Sequence, residues 1–208
     1  PVAGETIKII LEYSGTYADG TTLAATTTPP TKAGTFTVTA KIDAADANAS
    51  NYALKTGTGI LTSATVEIKK ATLTITANAH NTEYGTAPSA IGNSGVTYTG
   101  FVNGHTSASL SGTLAYDYMV KPASGNPTTA YAQYDGVTVA GTTEYLIIPK
   151  GLTHADYDIK FVGAPLTVEK HKVTISIGDG TSVYGASSLN MPTITSGALQ
   201  ASDETAAN

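Results

Sequence analysis

The sequence contains no cysteine and no tryptophan, and only three phenylalanines among its 208 residues. The absence of thiols excludes disulfide bonds, thiolate metal sites and a cysteine nucleophile. It also favours an exported protein, since many bacterial surface proteins avoid cysteine. With few large aromatic rings other than tyrosine, a core has to be built from Tyr, Val, Ile and Leu.

Charge is scarce as well. Only 13% of the residues are Asp, Glu, Lys or Arg, against roughly 25% in an average soluble domain. The 11 basic residues are outnumbered by 16 acidic ones, which leaves no basic face for nucleic acid and no polybasic patch for a membrane surface. No apolar run approaches the roughly 20 residues that span a bilayer, so we expect no membrane insertion in this segment.

Helical periodicity is missing too, whereas strand alternation is common. Residues 35–40 place Phe36, Val38 and Ala40 on one face and three threonines on the other, which is typical of a half-buried antiparallel strand. Similar short runs, separated by Gly, Pro, Asn and Asp, occur along the chain. We predict strands at 6–13, ending at Ser14-Gly15, at 110–120 with an interruption at Gly112, and at 143–148, stopped by Pro149. The sequence predicts an all-β fold with little helix.

A period of one hundred residues organises these strands. Leu73 corresponds to Val173, Tyr84 to Tyr184 and Lys70 to Lys170. A fixed period indicates a modular array. We predict that 1–70 is the back part of a preceding repeat, 71–170 a complete repeat, and 171–208 the front strands of a following repeat.

The predicted module junctions lie at Lys69-Lys70 and at Lys170-His171. Neither has a flexible linker rich in Gly, Ser or Pro, so the last strand of one module continues almost directly into the next. We therefore expect successive modules to stack end to end with limited hinge freedom.

Several motifs of the complete repeat carry a family resemblance. The order is Lys70–Ile75, Glu83-Tyr84-Gly85, Tyr98–His105, Leu110–Leu114 and Ala155–Gly163. It resembles the MBG repeat with the Tyr-Gly signature, and 26–70 resembles the back half of a related repeat type. The resemblance implies immunoglobulin-like β-sandwich modules and an extracellular location on a bacterial surface, in adhesins especially. It brings no catalytic residues and no cofactor.

Several candidate sites have a structural alternative. The oxygen-rich stretch 43–51 suggests a calcium loop, but it lacks the Gly and terminal acid of such loops, and Asp and Asn also favour plain turns. His154, Asp156 and Asp158 share one strand face and suggest part of a metal site, or simply solvent-facing residues. An internal Lys–Asn isopeptide crosslink is a third possibility; it requires a buried lysine beside an acid, and Lys8 and Glu67 are the candidates for those two roles.

The tyrosines can be interpreted either as ligand-binding residues or as residues that pack in the core. Aromatic faces stack on sugars, so Tyr84, Tyr134, Tyr145 and Tyr184 suggest glycan recognition. A tyrosine at a repeat position more often packs under a sandwich corner and bonds the backbone with its hydroxyl.

Two functions follow, neither of them enzymatic. In the first, the chain is a stalk or fibre segment of a bacterial extracellular adhesin, whose partners are neighbouring repeats or subunits. In the second, loops at 86–95 or 121–129 bind a host glycan or protein.

The chain starts at Pro1 without a signal-peptide pattern, so we expect a mature or excised fragment. The 70 residues before the complete repeat and the 38 after it together approach one period. We therefore expect that 171–208 can complete the back half 1–70 of another subunit, or of the same chain, by strand donation. The alternative is that the sequence is a window cut from a longer polymer of repeats.

Overall fold

The computed structural model describes residues 2, 4–55, 62–121, 132–134, 144–185, 187 and 194–196. These residues form an all-β fold in which the helical content is limited to three single turns of 3-10 helix, at Ala49–Asn51, Pro88–Ala90 and Ser107–Ser109. None of these turns has the length or hydropathy to cross a bilayer. The predicted loop 121–129 lies outside the described residues except for Lys121.

The strands are β1 (Ile9–Tyr17), β2 (Thr22–Thr26), β3 (Gly34–Ile42), β4 (Ser63–Ile68), β5 (Ala71–Ala77), β6 (His80–Glu83), β7 (Val96–Thr99), β8 (Ser111–Lys121), β9 (Ala132–Gln133), β10 (Glu144–Thr153), β11 (Tyr157–Val162), β12 (Ala164–Glu169), β13 (Ile175–Ile177) and β14 (Ile194–Ser196). They form four sheets, with strand orders β2-β1-β3-β4, β6-β12-β10-β8-β9, β11-β5-β7 and β13-β14. This all-β arrangement in several sheets agrees with the predicted β-sandwich class.

The chain divides into two compact units. The first lies within Pro1–Thr74, Tyr98–Thr113 and Gly151–Lys160, and the second within Ile75–Thr97, Leu114–Lys150 and Phe161–Asn208. The predicted boundaries at Lys70 and Lys170 were placed where the repeating sequence begins again. The division of the chain into structural modules at these two positions stays a prediction.

The sheet β2-β1-β3-β4 in the first unit is built on the alternation read from the sequence. Phe36 is 1% exposed, while Thr35 and Thr37 on the opposite face are exposed. The ring of Phe36 meets that of Tyr17 edge to face, with centroids 5.4 Å apart. Packing between these two aromatic rings therefore stabilises the buried face of β3.

The core of the second unit is lined by tyrosines and aliphatic side chains. Its buried members are Ala77, Ile91, Tyr118, Tyr134, Tyr145, Ile147, Ala164, Leu166 and Val168. On β12, buried Ala164, Leu166 and Val168 alternate with exposed residues. The sequence expectation that tyrosine would replace phenylalanine and tryptophan in the core is confirmed.

Two strands run past the points where the sequence predicted an end. The first strand continues beyond Ser14-Gly15 to Tyr17, with a register shift against β2 between Tyr13 and Gly15. A Cβ at Gly15 would lie 2.3 Å from the carbonyl oxygen of Thr35, so only glycine allows this approach. The glycine thus marks an irregularity within the strand instead of its end.

The prediction that Pro149 stops a strand is also wrong, because β10 continues to Thr153 with Pro149 fully buried. The ladder between β10 and β12 ends with Ile147 opposite Ala164. Pro149 lies beyond that point, so its missing N–H removes no bond to β12.

The interruption predicted at Gly112 is absent, since β8 runs unbroken from Ser111 to Lys121. Gly112 has a φ of +91°, and a Cβ there would lie 2.1 Å from the carbonyl oxygen of Gly151. The glycine allows two backbones to approach closely without ending the strand.

Candidate functional site

The best-defined site surrounds the first predicted junction, Lys69-Lys70, and all of its residues belong to the first unit. Both lysine side chains are exposed. The main chain just beyond them is fixed, because the N–H of Ala71 donates a hydrogen bond to the carbonyl oxygen of Asp156 at 2.9 Å. The junction is therefore tied to the turn that precedes β11.

Asp156 also contacts the preceding segment through its side chain. Its Oδ1 accepts a hydrogen bond from the N–H of Ala33 at 2.9 Å, and Ala33 is 3% exposed. The carbonyl oxygen of Ala33 in turn accepts from the N–H of Ala18 at 2.8 Å. Because a buried N–H without an acceptor is costly, Asp156 is a structural link between residues 31–34 and the strand at 157–162.

A tyrosine next to Asp156 performs the backbone bonding expected of a sandwich-corner residue. Tyr157 is 3% exposed, and its hydroxyl accepts from the N–H of Val102 at 3.0 Å and lies 3.2 Å from the carbonyl oxygen of the same residue. Its ring meets Phe101 edge to face at 5.9 Å between centroids. Tyr157 thereby holds the turn at 102–105 against the start of β11.

Two histidines pack beside this tyrosine. The rings of His105 and His154 have centroids 5.0 Å apart, and Nδ1 of His105 lies 3.1 Å from the Tyr157 hydroxyl. Nδ1 of His154 accepts a hydrogen bond from the N–H of Asp156 at 3.1 Å. Nothing in the sequence spacing pairs these histidines, which lie 49 positions apart in the chain; they meet because two turns reach the same end of the unit.

A cleft of about 590 Å³ with a mixed polar and apolar lining opens at the junction. It is lined by Thr31, Lys32, Ala33, Ile68, Lys69, Ala71, Val102, Asn103, His105 and Asp156. A second cleft of about 290 Å³ shares Lys32, His105 and Asp156 and adds His154, Asp19 and two serines. The linings combine apolar side chains with hydrogen-bonding and charged groups, and among the described residues their aromatic rings are those of His105 and His154.

The carboxylates at this site are engaged in the fold. Asp156 bonds the Ala33 backbone, whereas Asp158 is exposed on β11. Within the described residues, no three His, Cys, Asp or Glu side chains are grouped closely enough to hold a metal ion. The suggested triad His154, Asp156 and Asp158 is therefore not assembled as a metal centre.

The acidic stretch 43–51 forms turns that the carboxylates themselves stabilise. Asp43 accepts from the N–H of Ala45 at 3.0 Å, and Asp46 accepts from those of Asn48 at 2.9 Å and Lys8 at 2.7 Å. The hydrogen bond and ion pair with Lys8 lower the pKa of Asp43, and the same contact raises the pKa of Lys8. This matches the turn interpretation of the stretch.

The isopeptide suggestion is wrong. Lys8 pairs with Asp43 at 2.6 Å, and its side chain is 69% exposed. Glu67 is an exposed residue of β4. A crosslink of this kind requires a lysine shielded from water, and Lys8 does not meet that requirement.

The four tyrosines chosen as possible sugar platforms do not form one surface. Tyr134 and Tyr145 are 0% and 3% exposed and pack edge to face at 5.0 Å. Tyr84 packs against the same core, whereas Tyr184 is fully exposed. Burial removes the ring faces of Tyr134 and Tyr145 from any ligand.

Sequence reasoning missed Tyr118, which performs the backbone-bonding role in the second unit. Its hydroxyl lies 2.9 Å from the carbonyl oxygen of Ile91 and 3.1 Å from that of Gly92. Burial raises its pKa. Tyr118 lies in the run 110–120, for which the sequence predicted only a strand. Nothing in the sequence distinguished this tyrosine from the neighbouring residues of the run.

The second predicted junction, Lys170-His171, belongs to the second unit. Lys170 is exposed, while Nδ1 of His171 lies 2.6 Å from a carboxylate oxygen of Glu83. Glu83 is the last residue of β6 and Glu169 is the last of β12. His171 is therefore held next to the ends of both strands.

A comparison with known protein families finds a match in the central part of the chain. The family described as the MBG domain (YGX type) matches residues 73–167. The match lies inside the span 71–170, and it includes Tyr84-Gly85, on which the resemblance was based. MBG domains are typical of extracellular surface proteins. Neither a curated protein nor a solved structure matches the chain.

Proposed function

We propose, from the premise that residues 73–167 form an MBG domain of the YGX type, that this chain is a structural segment of a bacterial extracellular adhesin or fibre. Its function is to keep other parts of that protein a fixed distance apart, and its partners are neighbouring repeats or subunits. The proposal places no chemistry on the chain and requires no cofactor.

The observation that carries the proposal is the double bonding of Asp156 at the first junction. Its carbonyl oxygen accepts from Ala71, and its carboxylate accepts from Ala33. One residue thus fixes both the end of the connecting peptide and a buried turn of the preceding segment. A spacer requires such a joint, because a free hinge would let the modules fold back on one another.

Distance measurements between spin labels test the proposal. The absence of cysteine lets labels be attached at single introduced thiols. Thr37 on β3 and Lys160 on β11 are both exposed, so we expect the variant carrying Thr37→Cys and Lys160→Cys to give one narrow distance distribution. A broad distribution, comparable with that of a flexible linker, would contradict the spacer function.

A binding function is the second candidate, and the cleft of about 590 Å³ beside Lys32, Asn103 and Asp156 favours it. The amide, ammonium and carboxylate groups in this mixed lining could hydrogen-bond a host glycan or a protein loop. A glycan array probed with the labelled chain distinguishes the two functions, because a binding module should lose its signal on Asn103→Ala while a spacer should give none.

A further inference from the structure

The turn at 102–105 has the one Asn-Gly pair of the sequence at its centre. The N–H of His105 donates to the carbonyl oxygen of Val102 at 3.0 Å and closes the turn. Asn103 has a φ of +55° and Gly104 a φ of +73°. Turns with positive φ at both central residues favour asparagine followed by glycine. The shape of the turn therefore accounts for the presence of this pair.

The side chain of Asn103 and the backbone nitrogen of Gly104 are free to react with each other. Both residues are exposed. In the described part of the chain, neither the side-chain amide of Asn103 nor the N–H of Gly104 takes part in a hydrogen bond. Gly104 has no Cβ to hinder an attack by its own nitrogen, and no atom lies within 4 Å of the position that a Cβ would take.

Three other asparagines of the described residues have side chains that are held in place. Asn93 is also exposed, but its Oδ1 accepts from the N–H of Gly95 at 3.1 Å, and a serine follows it. Asn78 and Asn81 donate hydrogen bonds from their side-chain amides at 2.9 and 3.0 Å. An amide that is bonded elsewhere has to break that bond before it can turn towards the next backbone nitrogen.

We propose that Asn103 is a site of spontaneous deamidation, which places a new carboxylate in the lining of the cleft at the first junction. The backbone nitrogen of Gly104 loses its proton to a base in the solvent and forms a bond to Cγ of Asn103. The bond between Cγ and Nδ2 then breaks, ammonia leaves, and a succinimide ring remains. Water opens this ring at either carbonyl and gives aspartate or isoaspartate at position 103. The reaction consumes water and involves no oxidation or reduction.

The new charge joins the ionic groups of the cleft. Asn103 lines the cleft of about 590 Å³ together with Lys32, Lys69 and Asp156. These three side chains carry two positive charges and one negative charge. Deamidation adds a second negative charge and makes the lining electrically neutral, so the modified cleft attracts anionic groups less strongly.

The isoaspartate product also changes the main chain, because it adds a methylene group between residues 103 and 104. Both ends of this turn contact Tyr157. The N–H of Val102 donates to the Tyr157 hydroxyl at 3.0 Å, and Nδ1 of His105 lies 3.1 Å from the same hydroxyl. A longer main chain moves Val102 and His105 relative to each other. We therefore expect isoaspartate to weaken the attachment of the turn to Tyr157.

Ageing of the purified chain at mildly alkaline pH, followed by proteolytic digestion and mass spectrometry, tests the proposal. We expect a mass gain of about 1 Da at Asn103, at a rate about tenfold or more above the rate at Asn93. The rate should rise with pH, because the attacking nitrogen must lose its proton. Enzymatic methylation of isoaspartate identifies the product. The variant Asn103→Gln should show no such change, since its longer side chain would have to close a larger ring.

Equal rates at Asn93 and Asn103 would overturn the proposal. So would an unmodified Asn103 in the folded chain under conditions in which the urea-unfolded chain reacts, because the turn would then keep the two groups apart.

Urea denaturation of fresh and aged samples measures the effect on Tyr157. We expect the aged chain to unfold at a lower urea concentration, while aged and fresh Asn103→Gln unfold alike. An aged chain that contains isoaspartate and unfolds at the same urea concentration as the fresh chain would refute the weakened attachment to Tyr157. These outcomes do not depend on whether the chain is a spacer or a binding module.

Discussion

The N–H of Ala33 donates a hydrogen bond to the carboxylate of Asp156, 123 positions further along the chain. Ala33 is buried, so this N–H depends on the carboxylate. Asp156 immediately precedes Tyr157, whose hydroxyl bonds Val102. One short turn thus connects three distant stretches of the sequence.

Removal of the Asp156 carboxylate should destabilise the first unit. We expect Asp156→Ala to lower the free energy of unfolding by about 1–3 kcal/mol, because the N–H of Ala33 is left buried without its acceptor. Urea denaturation measures the effect. Asp158→Ala is the matched control two residues away at an exposed position, and an equal loss in both variants would show that the bond to Ala33 is not the cause.

The repeat offers a comparison at equivalent positions. Ile75 is 0% exposed and Ile175 is 64% exposed. We expect Ile75→Ala to cost about 2–5 kcal/mol of stability through lost burial and the cavity it leaves. At low protein concentration, Ile175→Ala should change stability by less than about 0.5 kcal/mol. Thermal unfolding of both variants checks this, and a large effect at Ile175 would mean that β13 is covered in the monomer.

Tyr118 should make the second unit sensitive to alkali. Burial raises its pKa above the ordinary 10.0, so the folded state favours the neutral phenol. That contribution is fully present below about pH 10 and is lost as the pH rises through the raised pKa. We expect Tyr118→Phe to cost about 1 kcal/mol at neutral pH and to show a shallower loss of stability above pH 10. Identical alkaline profiles would contradict this role.

Gly112 should tolerate no side chain. We expect Gly112→Ala to destabilise the chain severely, because the new Cβ would meet the carbonyl oxygen of Gly151 at 2.1 Å. Gly104 is the control, since its φ is also positive at +73° but no atom lies within 4 Å of the Cβ position. Gly104→Ala should cost only the backbone strain of about 1 kcal/mol. Comparable losses in circular-dichroism melts would show that the close approach to Gly151 is unimportant.

Much of the fold could be predicted because strand formation is a local property. The alternation of Phe36 with Thr35 and Thr37 predicts which face of β3 is buried, and the structure buries Phe36 while both threonines are exposed; Val38 is only half-buried. The alternation on β12 does the same for the second unit. The resemblance based on Tyr84-Gly85 and Ala155–Gly163 is confirmed by the family match at 73–167.

The sequence by itself determined the all-β class, the period of one hundred residues and the resemblance of its central part to the MBG domain, because alternation, repetition and the Tyr-Gly motif can be read along the chain. Only the tertiary structure decided that Asp156 bonds Ala33, that His105 lies against His154, and that Tyr134 is buried. It also decided that β6 pairs in parallel with β12 at the edge of the second unit's sheet. The physical reason is that these contacts join residues far apart in sequence. The side-chain pattern of a strand predicts which of its faces is buried, but it does not predict which other strand or turn packs against that face.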